Sequence, residues 1–174
     1  MIVIQQLDQS QINLVADLDR SEHVTVNYLY DAGQLAEKTV DWQVPRWSEE
    51  HAAHHIQELT PMLAAGGLLF GAFDGDQLAG IAILRLALTE TMAQLAFLHV
   101  NRDYRRMGVA RRFTEEMVRL AREDGAIEMY VSATPSGSAV GFYTSQGFKV
   151  APPERIHPEL FEKEPEDIHL IKVL

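Results

Sequence analysis

Apolar positions along the chain follow two periods, and the changes from one to the other mark its elements. Residues 2–7 alternate in the manner of a strand. Residues 9–20 set Ile12, Leu14, Val15 and Leu18 at helical spacing, with Asp8 or Ser10 available as the cap. Period two returns over residues 23–30 through Val24, Val26 and Tyr28. The turn signal Asp31-Ala32-Gly33 and a returning strand over 34–42, ended by Pro45, predict a hairpin. Ser48 followed by Glu49 and Glu50 opens a predicted helix over 48–64, closed by Gly66-Gly67. Pro61 is expected to kink it or end it early.

Strands are predicted over 68–73 and 78–86 around the turn Asp74-Gly75-Asp76-Gln77, and over Met92–Val100 after the turn at 89–91. These three antiparallel strands lead into a long amphipathic helix, Val109–Glu123, stopped by Gly125. A β-branched strand over 127–132 is expected to pair parallel with Met92–Val100 across that helix. A helix begins at Ser136 or Ser138 and runs to Ser145, and Gly147-Phe148 leads into another strand. The Pro- and Glu-rich stretch 152–167 reads as loop, and Ile168–Val173 as a closing strand. No repeat, low-complexity tract or interdomain linker interrupts the pattern, so residues 1–174 are expected to form one domain.

Composition narrows the function. Apolar residues make up 47% of the 174, which suits a globular core. A net charge of −10 argues against nucleic-acid or membrane-surface binding. It could steer a cationic amine toward the protein, although acidic surfaces also serve solubility. The absence of cysteine removes disulfides, thiolate metal sites and a cysteine nucleophile. No apolar run reaches the roughly 18 to 20 residues of a membrane span, and the N-terminus does not resemble a signal peptide, so a cytoplasmic location is expected. His51 and His55 stand four apart on a predicted helix, a spacing that suits zinc, but no third ligand accompanies them. A surface helix face and no metal are expected.

The chemistry concentrates at Arg105-Arg106-Met107-Gly108-Val109-Ala110, where a strand meets a loop that opens a helix. Helix N-termini carry unpaired N–H groups and a partial positive charge, and a glycine lets backbone approach a ligand closely. With Arg111 and Arg112 adding charge, the stretch reads as a pyrophosphate cradle. It resembles motif A of the GNAT superfamily of acyl-CoA-dependent N-acyltransferases, with Arg105, Gly108 and Ala110 at the motif's fixed positions. Ala139-Val140-Gly141-Phe142-Tyr143-Thr144-Ser145-Gln146-Gly147-Phe148 resembles motif B, in the right order. The resemblance covers about residues 66 to 150 well and the N-terminal third poorly.

The resemblance implies an α/β (α+β) fold: a mixed, mostly antiparallel central sheet, splayed at the motif A strand and flanked by helices. The hairpin over 23–42 is an addition where relatives carry a helical acceptor region. It could be an acceptor lid, a homodimer contact or a peripheral decoration. The implied activity is direct transfer of an acetyl group from acetyl-CoA to a primary amine of a small molecule or peptide. The backbone of Leu98, His99 and Val100 would hold the pantetheine arm and polarise the thioester carbonyl. Residues Arg105, Arg106, Met107, Gly108, Val109, Ala110 and Arg111 would hold the pyrophosphate. Tyr143 would protonate the departing thiolate, a core aromatic being the other reading. Ser136 stands where the family often has Asn near the pantetheine, and a helix cap explains it equally well. The carboxylate that many relatives carry on the motif A strand is missing from Gln94-Leu95-Ala96-Phe97. The general base must then be Glu90, His99, a residue of the N-terminal third, or a water relay. The missing carboxylate also leaves open a non-catalytic acyl-CoA-binding module. Against a dinucleotide-binding or nucleotide-triphosphate loop stands the absence of their glycine spacings.

Overall fold

The computed structural model describes residues 1–174. Strands β1 (Ile2–Leu7), β4 (Leu68–Asp74), β5 (Gln77–Arg85), β6 (Met92–Val100), β7 (Glu128–Ala133), β8 (Lys149–Val150) and β9 (Ile168–Val173) form one sheet in the order β1-β4-β5-β6-β7-β9-β8. All neighbours are antiparallel except β6 and β7. Strands β2 (Glu22–Asp31) and β3 (Gln34–Val44) form the expected hairpin as a separate two-stranded sheet. Its two-residue turn holds Ala32 at φ 46° and Gly33 at φ 88°, a backbone that matches the twist of paired strands.

Two layers cover the sheet. On one face lie α2 (Val109–Glu123) and α3 (Gly137–Ser145). Phe113, Met117, Val140, Tyr143 and Phe148 pack there on Leu95, Met129, Val131 and Leu170. On the other face α1 (Glu49–Ala64) and the N-terminal segment pack Leu59, Leu63, Ile12, Val15 and Leu18 on Ile81, Ile83 and Phe97. No helix is long and apolar enough to cross a membrane.

Three elements depart from the sequence pattern for identifiable reasons. Residues Gln9–Asp17 form a 3-10 rather than an α-helix. The buried side chains Ile12, Val15 and Leu18 recur every third residue, which is the repeat of a 3-10 turn. Helix α1 continues past Pro61 to Ala64 and closes through N–H bonds from Gly66 to Leu63 O and from Gly67 to Met62 O. A proline in a last turn forfeits one bond there, and the glycines supply the stop. The stretch 152–167 holds a short helix, α4 (Pro158–Lys163), with a proline in its first turn and Leu160 buried beneath it.

Phe113 is fully buried at the centre of the α2 layer. Phe113→Ala is expected to cost about 3–5 kcal/mol of stability in a denaturant titration; a loss under about 1 kcal/mol would mean that α2 is not held by this contact.

Candidate functional site

β6 and β7 run together for only three residue pairs, Met92 with Glu128, Ala93 with Met129 and Gln94 with Tyr130. Beyond them the strands part. The cause lies on the other side of β6. Ile83 faces Phe97 and Leu84 faces Leu95, so Ala96 is an extra residue, a bulge. A bulge bends its strand and increases its twist, and this one falls where β6 leaves β7. It also reverses which face each side chain takes. Leu95 belongs to the α2 layer and Phe97, two residues on, to the α1 layer. Leu98 and Val100 return to the α2 side, and His99 turns to Trp47 on the α1 side.

The parting strands open a cavity of about 580 Å³, walled by Leu95 to Val100 of β6, Ser132 to Thr134 at the end of β7, and Phe142 and Tyr143 of α3. The loop before α2 closes one end. Arg106 takes φ 61° and Gly108 φ 80°, left-handed conformations two residues apart. Such turns point N–H groups to one side and make anion-binding hollows. The first bond inside α2 runs from Arg112 N–H to Gly108 O, so the amides of Val109, Ala110 and Arg111 precede the ladder and remain available for a ligand. No protein atom lies within 4 Å of where a Cβ on Gly108 would stand. The space beside this glycine is open.

The four arginines of this region differ in what they are free to do. The Arg105 guanidinium donates to the carbonyls of Arg20 (2.9 Å), Ser21 (3.2 Å) and Val100 (3.4 Å), tying the N-terminal segment to the loop. Arg111 pairs with Glu115 at 2.8 Å, and Arg112 donates to Ile2 O at 2.8 Å. Arg106 is exposed, lines the cavity and has no partner. Met107 is exposed and lies outside the cavity wall.

Tyr143 is buried, edge-on to Phe142 and Phe148, and lines the cavity. Burial, with a smaller contribution from Asp167, raises its phenol well above the ordinary value near 10. It therefore stays protonated. Ser136 caps α3, accepting from Ala139 N–H at 3.3 Å, and also lines the cavity. His99 packs against Trp47 and Phe97. Burial, then the charges of Arg20, His55 and Arg105, push its imidazole down to about 3, so it is neutral at ordinary pH.

The hairpin forms part of the cavity wall. Tyr28 N–H donates to Pro135 O at 2.7 Å and Tyr30 hydroxyl to Ala151 O at 3.0 Å. A Cβ on Gly137 would stand 3.0 Å from Val26 Cβ, so this glycine lets β2 lie close against the start of α3. Glu22, Val24 and Val44 thereby reach the cavity. Glu90, one of the sequence candidates for a base, is exposed before the first residue of β6, outside the cavity wall at the opposite end of that strand. His55 stacks on Trp47 and His51 is exposed; no group of three or more metal-ligating side chains forms.

Sequence reasoning left Glu22 inside an open class of N-terminal candidates for the base and did not single out Arg20 or Asp167. Glu22 and Arg20 line the cavity directly. Asp167 accepts from Ser132 Oγ at 2.9 Å, and burial pushes its carboxyl up to about 6. It lines a second cavity, of about 790 Å³, between the hairpin and the C-terminal segment. No periodic signal marks these three residues, because their segments reach the cavity wall or Ser132 only in the folded chain.

The family model for the acetyltransferase (GNAT) family matches residues 36–148, from β3 through the loop and α2 to the end of motif B. The chain belongs to this family and is an acetyl-CoA-dependent acyltransferase. No curated protein matches it in sequence. Among solved structures, nourseothricin acetyltransferase is similar in fold, with a TM-score of 0.74 at 16% identity over 99% of this chain and 98% of that one. The PaiA N-acetyltransferase of Thermoplasma acidophilum, in complex with coenzyme A, gives 0.65 at 18% identity over 100% and 99%. A GNAT family acetyltransferase of Elizabethkingia anophelis with acetyl-CoA bound gives 0.53 at 16% identity, over 68% of this chain and 83% of that one. The implied cosubstrate fits the residues present: the strands part beside a loop of left-handed turns and free helix amides.

Gly108→Asp puts a side chain in a left-handed conformation and a carboxylate where phosphate is expected. CoA affinity measured by calorimetry is predicted to fall by roughly a hundredfold or more, with an unchanged circular dichroism spectrum. Retained affinity would contradict the assignment of this loop to the pyrophosphate.

Proposed function

We propose that residues 1–174 act as one N-acetyltransferase domain, which moves the acetyl group of acetyl-CoA directly to a primary amine of a small molecule or peptide. The observation that carries this reading is the opening of β6 from β7 beside the left-handed loop, with Tyr143 in its wall. The backbone of Leu98, His99 and Val100 holds the pantetheine arm as an added strand would, and the Leu98 amide polarises the thioester carbonyl. Arg106, Gly108 and the first amides of α2 hold the pyrophosphate. Arg105 supports that loop through the carbonyls that it ties together.

Transfer requires a neutral amine. The new C–N bond forms as the C–S bond breaks, the amine gives up a proton and the thiolate takes one. Tyr143 supplies the proton to sulfur and regains one from the base that has taken the amine's proton. A phenol so reluctant to ionise acts first as a hydrogen-bond donor to the developing thiolate, and releases its proton only as the sulfur becomes basic. His99, held to about 3, is too weak a base to keep the amine's proton. It serves as a neutral wall of the acceptor site, and the proton passes to Glu22.

A second reading gives that proton to Asp167 through Ser132, and the value near 6 favours it. The pH profile of kcat/KM separates the two. If Asp167 is the base, activity falls on the acid side of about pH 6, and Asp167→Asn lowers the rate and removes that limb. If Glu22 is the base, Glu22→Gln lowers kcat/KM by about a hundredfold or more, and Asp167→Asn leaves most of the activity. Folding gains stability from the proton held on Asp167 below its unfolded value near 3.9, and loses it as pH rises through about 6.

Tyr143→Phe is predicted to lower kcat by about 10²–10³ while CoA affinity stays near that of the parent. Stopped thiol-release kinetics with acetyl-CoA and a broad amine panel test this. Unchanged turnover would reduce Tyr143 to packing.

A further inference from the structure

Two guanidiniums in the cavity wall have no partner, and they stand in different surroundings. Arg106 is exposed on the phosphate loop. Arg20 is half-buried, and its Nε is enclosed without a hydrogen-bond acceptor. Its Cζ sits 5.4 Å over the ring of Trp47, whose ring lies 4.9 Å from that of His99. Burial disfavours the charge of Arg20. Neither nearby carboxylate pairs with it: Asp19 lies 3.4 Å from Arg46, and Glu22 stands 3.9 Å from Arg105, the limit of an ion pair, and stays open to the cavity.

A fixed, partly desolvated guanidinium with no counter-charge costs stability. Trp47 holds it in place by a cation–π contact, so its direction is set before any ligand arrives. The α2 and α3 layer closes the opposite face of β6. Arg20 lines the cavity from the other face, where Trp47 packs. Two positions along the chain Glu22 presents a carboxylate to the same cavity. An anchor for an anion thus stands beside an anchor for an ammonium.

Resting on the acetyltransferase reading above, we propose that the acceptor is an amino carboxylic acid, its carboxylate held by Arg20 and its amine presented beside Glu22 to the thioester. The planar fork of Arg20 suits a carboxylate bidentately. The local charge pattern of the cavity thus departs from the acidic balance of the chain as a whole, which by itself would point to a purely cationic amine.

The test compares free L-amino acids, β-alanine and γ-aminobutyrate with their carboxamides and with the corresponding carboxylate-free amines. Thiol release from acetyl-CoA is read together with product mass. Binding of the same compounds in the presence of CoA is read separately from Trp47 fluorescence in a Trp42→Phe background. The expected result is a preference for at least one amino acid over its carboxamide of roughly ten- to a hundredfold in kcat/KM, with a matching difference in the fluorescence titration. Arg20→Gln is expected to bring that ratio to near one, and Arg20→Lys to restore part of it. Efficient acetylation of carboxylate-free amines with no gain from a carboxylate would overturn the proposal and leave the acetyltransferase reading intact. CoA binding with neither transfer to any compound nor an amino-acid fluorescence response would overturn both. A carboxylate preference that survives in Arg20→Gln would overturn the assignment to Arg20.

Discussion

The site depends on one parting of strands. Two parallel strands in a mixed sheet ordinarily satisfy each other's backbone groups along their whole length, and a buried unpaired amide or carbonyl is costly. Here β6 and β7 pair at three positions and then separate, so the backbone beyond must find other partners. The bulge at Ala96 sets where this happens. The backbone groups facing the gap then line the cavity. The left-handed loop, the free amides of α2 and the hydroxyl of Tyr143 all take their places from that divergence. A straight β6 would close the cavity and leave the loop capping an ordinary strand–helix junction.

The same bulge divides the chemistry between faces. Leu98 and Val100 turn toward α2, which the left-handed loop opens. Phe97 and His99 turn toward Trp47, where the N-terminal segment and the hairpin converge. Arg105 joins the two sides by reaching from the loop to the carbonyls of Arg20 and Ser21. The loop and the N-terminal segment are thereby tied together, with one guanidinium serving as the strut. The hairpin completes the cavity wall and docks against the start of α3 through Tyr28 and Gly137.

Much of this frame is legible in the chain. Gly108 before an amphipathic helix announces the loop, and its φ of 80° is what a glycine at that position implies. Asp31-Ala32-Gly33 announces the hairpin, and Ser48 and Ser136 cap the helices that they precede. Other features have no signature in one strand read alone. The bulge exists only relative to the register of β5. The three-residue recurrence of Ile12, Val15 and Leu18 overlaps with helical spacing, and only packing against the sheet selects the tighter turn. The side chain of Arg105 has a motif position that suggests phosphate, yet the carbonyls of a distant segment claim it. Arg20 and Glu22 come to the cavity, and Asp167 to Ser132 in its wall, by tertiary contact, and their neighbours in sequence give no hint of it.

Amide hydrogen exchange with and without acetyl-CoA tests the central claim most directly, because it reads the backbone that the parted strands leave free. The account predicts slowed exchange on binding over residues 95–100 of β6 and over residues 106–111, where the loop enters α2, with the second cavity near Trp42 and Phe161 little changed. Protection confined to that second cavity, or binding with no protection along β6, would contradict it.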